Sequence, residues 1–292
     1  MELELKRGGR TARVETLGGE LVSYRDERGL EYIWGGDPAY WPGRNPLLFP
    51  IVGMLKEGKI RFDGREYAME RHGFARRREF TPAARGEDWV RLELRESAET
   101  LALYPYSFRL AVEQRLTDTG FSTAVTVANP GEGPLPFCLG AHTGFRCPLE
   151  AGERFEDYEL VFPERESCPT LLLRDGLLDR PAALPCLEDT DTLPLDYRWF
   201  DALDTLIFEG LRSRSVALRS RKSGSGVRVS FDGFPMLAFW TMPGKKAPYL
   251  CIEPWHGCSA GTGEGEQFTS KAHCIVLAPG ESRTLAYRAD TL

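Results

Sequence analysis

Four short segments gather the residues most able to bind or react: Gly43-Arg44-Asn45-Pro46-Leu47-Leu48-Phe49-Pro50, Arg71-His72-Gly73-Phe74-Ala75-Arg76-Arg77, Leu139-Gly140-Ala141-His142-Thr143-Gly144-Phe145 and Cys251-Ile252-Glu253-Pro254-Trp255-His256-Gly257. Three of them set a His or a Glu beside Gly or Pro and an aromatic ring, which suits the wall of a pocket better than the middle of a strand. Glu253 has the strongest independent case, because a carboxylate inside an apolar run such as CIEPW is almost never buried without a partner or a task. Its plainer alternative is a structural salt bridge with an arginine. The ligand class that fits these residue types is a sugar. Its ring presents apolar C–H faces to Trp or Phe, and its hydroxyl rim needs planar, multiply bonding partners such as Arg, Asn, Asp and Glu.

Strands have to hold these segments in place. Short alternating or β-branched runs recur from LELEL at the start through ARVETL, RLELRE, TAVTVAN, DYELVF, SVALRS, GVRVSF and HCIVLA to RTLAYRA, separated by Gly, Pro, Asn or Asp clusters. Ser215 to Phe231 reads as a hairpin turning at SGSG, and His273 to Arg288 as a second one turning at Ala278-Pro279-Gly280-Glu281. Helical periodicity is confined to Ser97–Tyr104, ended by Pro105, and to Asp196–Ala202. No Pro/Ser-rich linker, charge block or repeat divides the chain, so residues 1–292 read as one domain. So many antiparallel strands bury both inner faces only by stacking two sheets, and the expected fold is all-β, a large antiparallel β-sandwich.

The composition, 42% hydrophobic and 27% charged over 292 residues, is that of a globular chain and lies outside the disordered and fibrous ranges. A formal net charge of -6 argues against nucleic-acid binding by phosphate neutralisation. No run approaches the roughly 20 apolar residues that span a bilayer. The start, MELELKRGG, lacks the basic and apolar stretches of a signal peptide, so the expected location is the cytoplasm, with no membrane partner. The 7 cysteines, odd in number and without a C-x-x-C, read as reduced, mostly buried thiols. With histidines only at 72, 142, 256 and 273, no zinc framework emerges and no metal is expected.

The succession EYIWGGDPAYWPGRNPLLFPIVG, HGFAR, YPYSF, a Val-x-Asn before GAH, CIEPW and a closing PGE resembles the aldose 1-epimerase (galactose mutarotase-like) family, in particular its LacX-like branch, in order and spacing from about Leu17 to Tyr287. The resemblance implies a β-sandwich of the galactose mutarotase type with a sugar site in an open cleft. It also implies interconversion of the α and β anomers of an aldose without metal or organic cofactor. By the same resemblance His142 is the general acid on the ring oxygen, Glu253 the base on the anomeric hydroxyl, and His72 a substrate contact. Arg44 and Asn45 match a binding Arg and Asn, and Asp204 in ALDTLIF matches a hydroxyl-binding Asp, with Asp201 near enough to compete. Trp255 is assigned to the sugar face, Trp240 to the core, and His256 and His273 to positions outside the site; a monomer or homodimer is expected. The family's hexose-6-phosphate branch uses an Arg in the HGFAR motif, which favours Arg76 of the run Arg76-Arg77-Arg78, since three consecutive side chains cannot face one way. Two departures stand out. Thr143 replaces the Pro that usually follows the family's His, and Pro254-Trp255-His256 replaces the Gln- and Asp-containing motif of galactose-specific members, so galactose preference does not carry over.

Anomerisation takes a proton from the anomeric hydroxyl and gives one to the ring oxygen, after which the open aldehyde turns and closes on its other face. An imidazolium near 6.5 and a carboxylate near 4.3 hold opposite protonation states around neutrality, so neither His142 nor Glu253 is expected to need a large shift. Two rival functions share the fold. One is a sugar-binding protein that has lost turnover; the other is glycoside hydrolysis, which wants two opposed carboxylates and would need Asp204 across from Glu253.

Overall fold

Every second residue is buried along the strands Arg109–Leu116 and Gly120–Ala128, the signature of a sheet with one face on a core and one in water. The computed structural model describes residues 1–292. An antiparallel path runs Leu47–Leu48, Leu139–Ala141, Tyr249–His256, Met236–Trp240, Thr205–Glu209, Tyr158–Arg174, and then on to Ser215–Ser220, Gly226–Ser230, Ser282–Thr291, Gly120–Ala128, Arg109–Leu116, Trp89–Arg95 and Thr81–Arg85. The long strand Tyr158–Arg174 joins the halves. Its first residues pair with Ser215–Ser220 and Leu171 pairs with Ile207 in Thr205–Glu209, so one strand leaves one sheet and enters the other. The halves close on each other as a β-sandwich. A core of 73 buried residues, from Leu3 to Ala289, fills the space between and around them. A separate three-stranded sheet, Glu2–Arg7, Arg10–Glu15 and Glu20–Arg25, packs through Tyr24 on Phe121, with ring centroids 5.4 Å apart.

A buried polar contact crosses the sandwich and bears directly on the site. The Thr143 hydroxyl donates to Asn45 Oδ1 at 2.7 Å, and the Tyr287 hydroxyl, from the opposite sheet, donates to the same oxygen at 3.0 Å. Burial without partners would be costly for all three groups, so the network fixes how the Asn45 loop and the Thr143 strand dock on Ser282–Thr291.

The two helices are short and capped as their sequences require: Ser97 caps Ala98–Leu101 and Asp196 caps Tyr197–Leu203. The Ser215–Ser220 and Gly226–Ser230 hairpin forms in the expected place. The second expected hairpin does not. The chain does turn at Ala278–Glu281, but Ile275–Leu277 pairs with Leu135–Phe137 while Ser282–Thr291 pairs with Gly120–Ala128 and Gly226–Ser230. Asn129 draws the turn aside: its backbone accepts from Gly280 and donates to Glu281, and its amide donates to Leu277, so the two arms separate into different sheets. No helix is long and apolar enough to cross a membrane.

Candidate active site

Tyr249–His256 is buried along its length except at His256, with neighbours on both edges. Alternation along a strand places Cys251, Glu253 and Trp255 on one face and Ile252 and Pro254 on the other. On one edge, Leu139 and Gly140 pair with His256 and Trp255, while Thr143 to Arg146 pair with Ile252 to Tyr249. The register is the same on both sides of His142, which therefore sits directly opposite Glu253. Cross-strand partners of this kind bring side chains into contact, and His142 Nε2 lies 3.4 Å from Glu253 Oε2. The rings of Trp41, 4.8 Å away and tilted, and Trp240, 5.6 Å away and edge-on, hold the imidazole.

The remaining walls come from loops. A cleft of about 270 Å³ is lined by Trp41, Pro46, Gly53, Arg71, His72, Arg76, His142, Leu173, Gly176, Asp204, Thr205, Trp240, Met242, Glu253, Trp255 and Ser259. His72 adopts a left-handed backbone, φ 67°, and its Nδ1 accepts the Gly53 N–H at 3.1 Å, which leaves Nε2–H as the ring's donor. Gly73 follows with φ 70°, and a Cβ there would stand 2.2 Å from the Phe49 carbonyl oxygen. Gly73→Ala is therefore expected to cost at least about 1–3 kcal/mol from backbone strain alone and to displace His72. The shift of its urea midpoint checks this.

Four buried polar atoms of the cleft wall lack a well-formed hydrogen bond: Arg76 Nε, His142 Nδ1, Glu253 Oε2 and Trp255 Nε1. Buried polar groups without partners are rare, and their convergence on one cleft marks a place where a polyhydroxylated ligand would complete them. Electrostatics points the same way. Burial pushes Glu253, 1% exposed, well above the usual carboxylate range, with the Trp255 indole opposing the shift and the Asp204 charge adding to it. Burial, opposed by a backbone hydrogen bond and reinforced by the Arg76 and Arg71 charges, lowers His142 to about 3. Burial, with the Arg76 and Arg71 charges adding to it, holds His72 well below the ordinary value. The expectation that neither member of the pair is strongly shifted fails, because the sandwich removes both from water. Burial therefore favours a protonated Glu253 beside a neutral His142. His142, Cys251 and Glu253 also bring three ligand atoms within 4.8 Å of one another, although a cation there would first have to displace protons that burial holds on Cys251 and Glu253.

A family model described as aldose 1-epimerase matches residues 1–289. The chain belongs to the aldose 1-epimerase family. It is 40% identical over 295 residues to the plasmid-encoded protein LacX of Lactococcus lactis subsp. lactis, covering 98% of each chain, and to the chromosomal LacX of the same organism to the same extent. The structure of a galactose mutarotase related enzyme from Lactobacillus acidophilus superposes with a TM-score of 0.95 at 26% identity, over 100% of this chain and 97% of that one. A galactose mutarotase-like protein from Lactobacillus casei gives 0.93 at 27% identity, over 100% of both chains.

Within this aldose 1-epimerase architecture the predicted residues divide clearly. His142, Glu253, His72, Arg76, Asp204 and Trp255 converge on the cleft. Arg44 and Asn45 are not in its lining. Arg44 is tied to Glu15 at 3.2 Å and to the Gly35 carbonyl, and Asn45 turns its oxygen into the core network with Thr143 and Tyr287. Asp204, rather than Asp201, faces the cleft; it is held at φ 62° after the helix and accepts from the Thr205 hydroxyl, whereas Asp201 binds Gly244 N–H at the surface. Trp240, expected in the core, instead forms cleft wall, because the satellite aromatic group of Trp34, Trp41 and Tyr249 beside it is open on that side. His256 and His273 lie outside the cleft, on each other and on Glu209. Arg71 and Trp41 are the residues that sequence reasoning passed over. Arg71 stood beside His72 in a quoted motif, and its guanidinium meets only Met54 Sδ, at 2.8 Å. Thr143, the departure from the family pattern, faces the core while His142 faces the cleft, so its hydroxyl is absorbed without disturbing the imidazole.

Proposed function

We propose that this cleft interconverts the α and β anomers of an aldose, with Glu253 and His142 as the proton-transfer pair. The observation that carries the proposal is the 3.4 Å approach of His142 Nε2 to Glu253 Oε2 across two strands, inside a cleft where Arg76 Nε, His142 Nδ1 and Trp255 Nε1 also lack partners. With the ring form bound, sugar hydroxyls donate to the Glu253 carboxylate and the ring oxygen accepts from His142, so hydrogen bonds replace the hydration that burial removed and the pair's proton moves to His142. Glu253 then takes the anomeric hydroxyl proton, C1 becomes a carbonyl, the bond from C1 to the ring oxygen breaks, and His142 protonates that oxygen. Glu253 is now protonated and His142 neutral, the same state that burial favours in the empty cleft. That coincidence supports the open-chain complex during the turn about C1–C2, after which the steps reverse on the other face. Contacts from His72 Nε2–H, Asp204 and Trp255 would keep the open chain oriented for re-closure.

The ionisable group paired with Glu253 is an imidazole, which favours anomerisation over glycoside hydrolysis with its opposed carboxylates. Magnetisation-exchange NMR on glucose, galactose and other aldoses tests the proposal: exchange must be faster with the protein than without. Line broadening without faster exchange would leave only a sugar-binding protein.

A second reading concerns the substrate. Arg71 and Arg76 stand in one wall of the cleft with no carboxylate bonded to either, Arg76 donating to the Arg71 carbonyl. Their neighbours Arg77 and Arg78, by contrast, are paired with Glu70 and Glu99. Two uncompensated guanidiniums suit an anionic sugar such as a hexose 6-phosphate. Arg76→Met is then expected to raise KM for the 6-phosphate by about 10- to 100-fold, the worth of a charged hydrogen bond, with only a few-fold effect on the neutral sugar. Equal effects on both sugars would refute the phosphate reading.

A further inference from the structure

A second chemical cluster lies outside the cleft, where Leu135–Phe137 pairs with Ile275–Leu277. Phe137 faces Ile275 in that register, so one residue further Cys138 comes opposite Cys274. Neither backbone N–H serves the other strand: Cys138 donates to Pro50 and Cys274 to Lys271. The two thiols are nevertheless near enough to perturb each other's protonation. Antiparallel partners have Cα atoms about 4.5 or 5.5 Å apart, and both spacings fall within the 4.4–6.8 Å that a disulfide spans.

The surroundings are unusual for structural cysteines. Lys271 is only 3% exposed, and its ammonium, fully enclosed, is paired with Glu264 at 3.2 Å. Its charge reaches Cys138, Cys258 and Cys274 together. Cys138 and Cys258 are buried, whereas Cys274 is half-exposed. A partly exposed thiol near a cation, with a second thiol across the strand pair, combines the conditions for a reactive cysteine and its resolving partner.

We propose that Cys274 is a peroxide-reactive thiol that closes a disulfide with Cys138. The Cys274 thiolate attacks one oxygen of hydrogen peroxide; the S–O bond forms, the O–O bond breaks, and the departing hydroxide leaves as water with a proton. Sulfur is oxidised to the sulfenic acid and peroxide is reduced. Cys138 then attacks that sulfur, the S–S bond forms, the S–O bond breaks, and the second hydroxide leaves as water with the Cys138 proton. Two thiols and one peroxide become one disulfide and two waters. The electrostatics is consistent: Cys138 and Lys271 lower Cys274 against the opposing effect of its burial, while Cys138, beside Cys274 and buried, is raised.

Cys186 provides an internal control, being half-exposed like Cys274 but without a cation, its thiol pushed up to about 12 by burial. On the folded full-length protein at pH 7.5, iodoacetamide is expected to label Cys274 at least about tenfold faster than Cys186. Stoichiometric hydrogen peroxide followed by non-reducing digestion and mass spectrometry is expected to give a Cys138–Cys274 linked peptide. In Cys138→Ser the reaction should stop at a Cys274 sulfenic acid that dimedone captures. Equal labelling of the two thiols, or no linked peptide after peroxide, overturns the proposal, and both readouts use the unmodified chain, so they stand even if the variant fails to fold.

Discussion

Glu253→Gln is expected to slow catalysed anomer exchange by about 10²- to 10⁴-fold, the usual contribution of a positioned acid–base group. The amide keeps the shape of the side chain but cannot take the anomeric proton, so binding should persist while turnover falls. His142→Ala is expected to lose a similar factor, and the double variant little more than either single one, because the two groups pass one proton through one pathway and act as a unit. Magnetisation exchange measures turnover, and shifts of the sugar or protein resonances measure binding. Retention of at least a tenth of the exchange rate in Glu253→Gln would remove Glu253 from the chemistry, whatever the substrate proved to be.

The same substitution is expected to stabilise the fold at neutral pH. A raised carboxyl makes its full contribution to stability below its unfolded value of about 4.3 and loses it as pH rises toward the folded value, because the native state must then bury a charge or keep a proton that the unfolded chain releases. Glu253 is such a group. His142 runs the other way, contributing fully above about 6.5 and losing that contribution as pH falls toward its folded value of about 3. Between about 4.3 and 6.5 the opposing slopes cancel, since folded and unfolded pairs each hold one proton. Above about 6.5 the wild-type pair should cost about 1.4 kcal/mol per pH unit for as long as Glu253 keeps its proton in the native state. In Glu253→Gln only the His142 slope remains, so its advantage over wild type should grow by about 1.4 kcal/mol for each unit above 4.3 and level off once pH passes the folded value of Glu253. Urea unfolding of both proteins from pH 4 to 8 reads this directly. A stability difference that does not change with pH would mean that Glu253 is an ordinary ionised carboxylate in the native state.

These two expectations share a cause, the withdrawal of an acid–base pair from water, and that cause separates what sequence could and could not supply. The alternation of apolar and polar residues made the β-class legible, because burying one face of a strand requires a period of two whatever the partner strand is. The SGSG turn was legible because its geometry is local, while the Ala278–Glu281 turn was misread because its two arms pair not with each other but with different strands far off in the sequence. The clustering of Gly, Pro and aromatic residues around His72, His142 and Glu253 likewise pointed at a pocket, since an irregular backbone beside reactive side chains seldom occurs within a regular strand. Only the tertiary structure decided which of the neighbouring candidates face that pocket. Arg44 and Asn45 adjoin Pro46, which lines the cleft, yet they spend their polar groups on Glu15, Gly35, Thr143 and Tyr287, whereas Arg71 and Trp240 line it. The protonation state was equally invisible in the sequence. Residue types carry their solution pKa values, but the desolvation that drives Glu253 up and His142 down exists only once two sheets, brought together from distant parts of the chain, have closed around both.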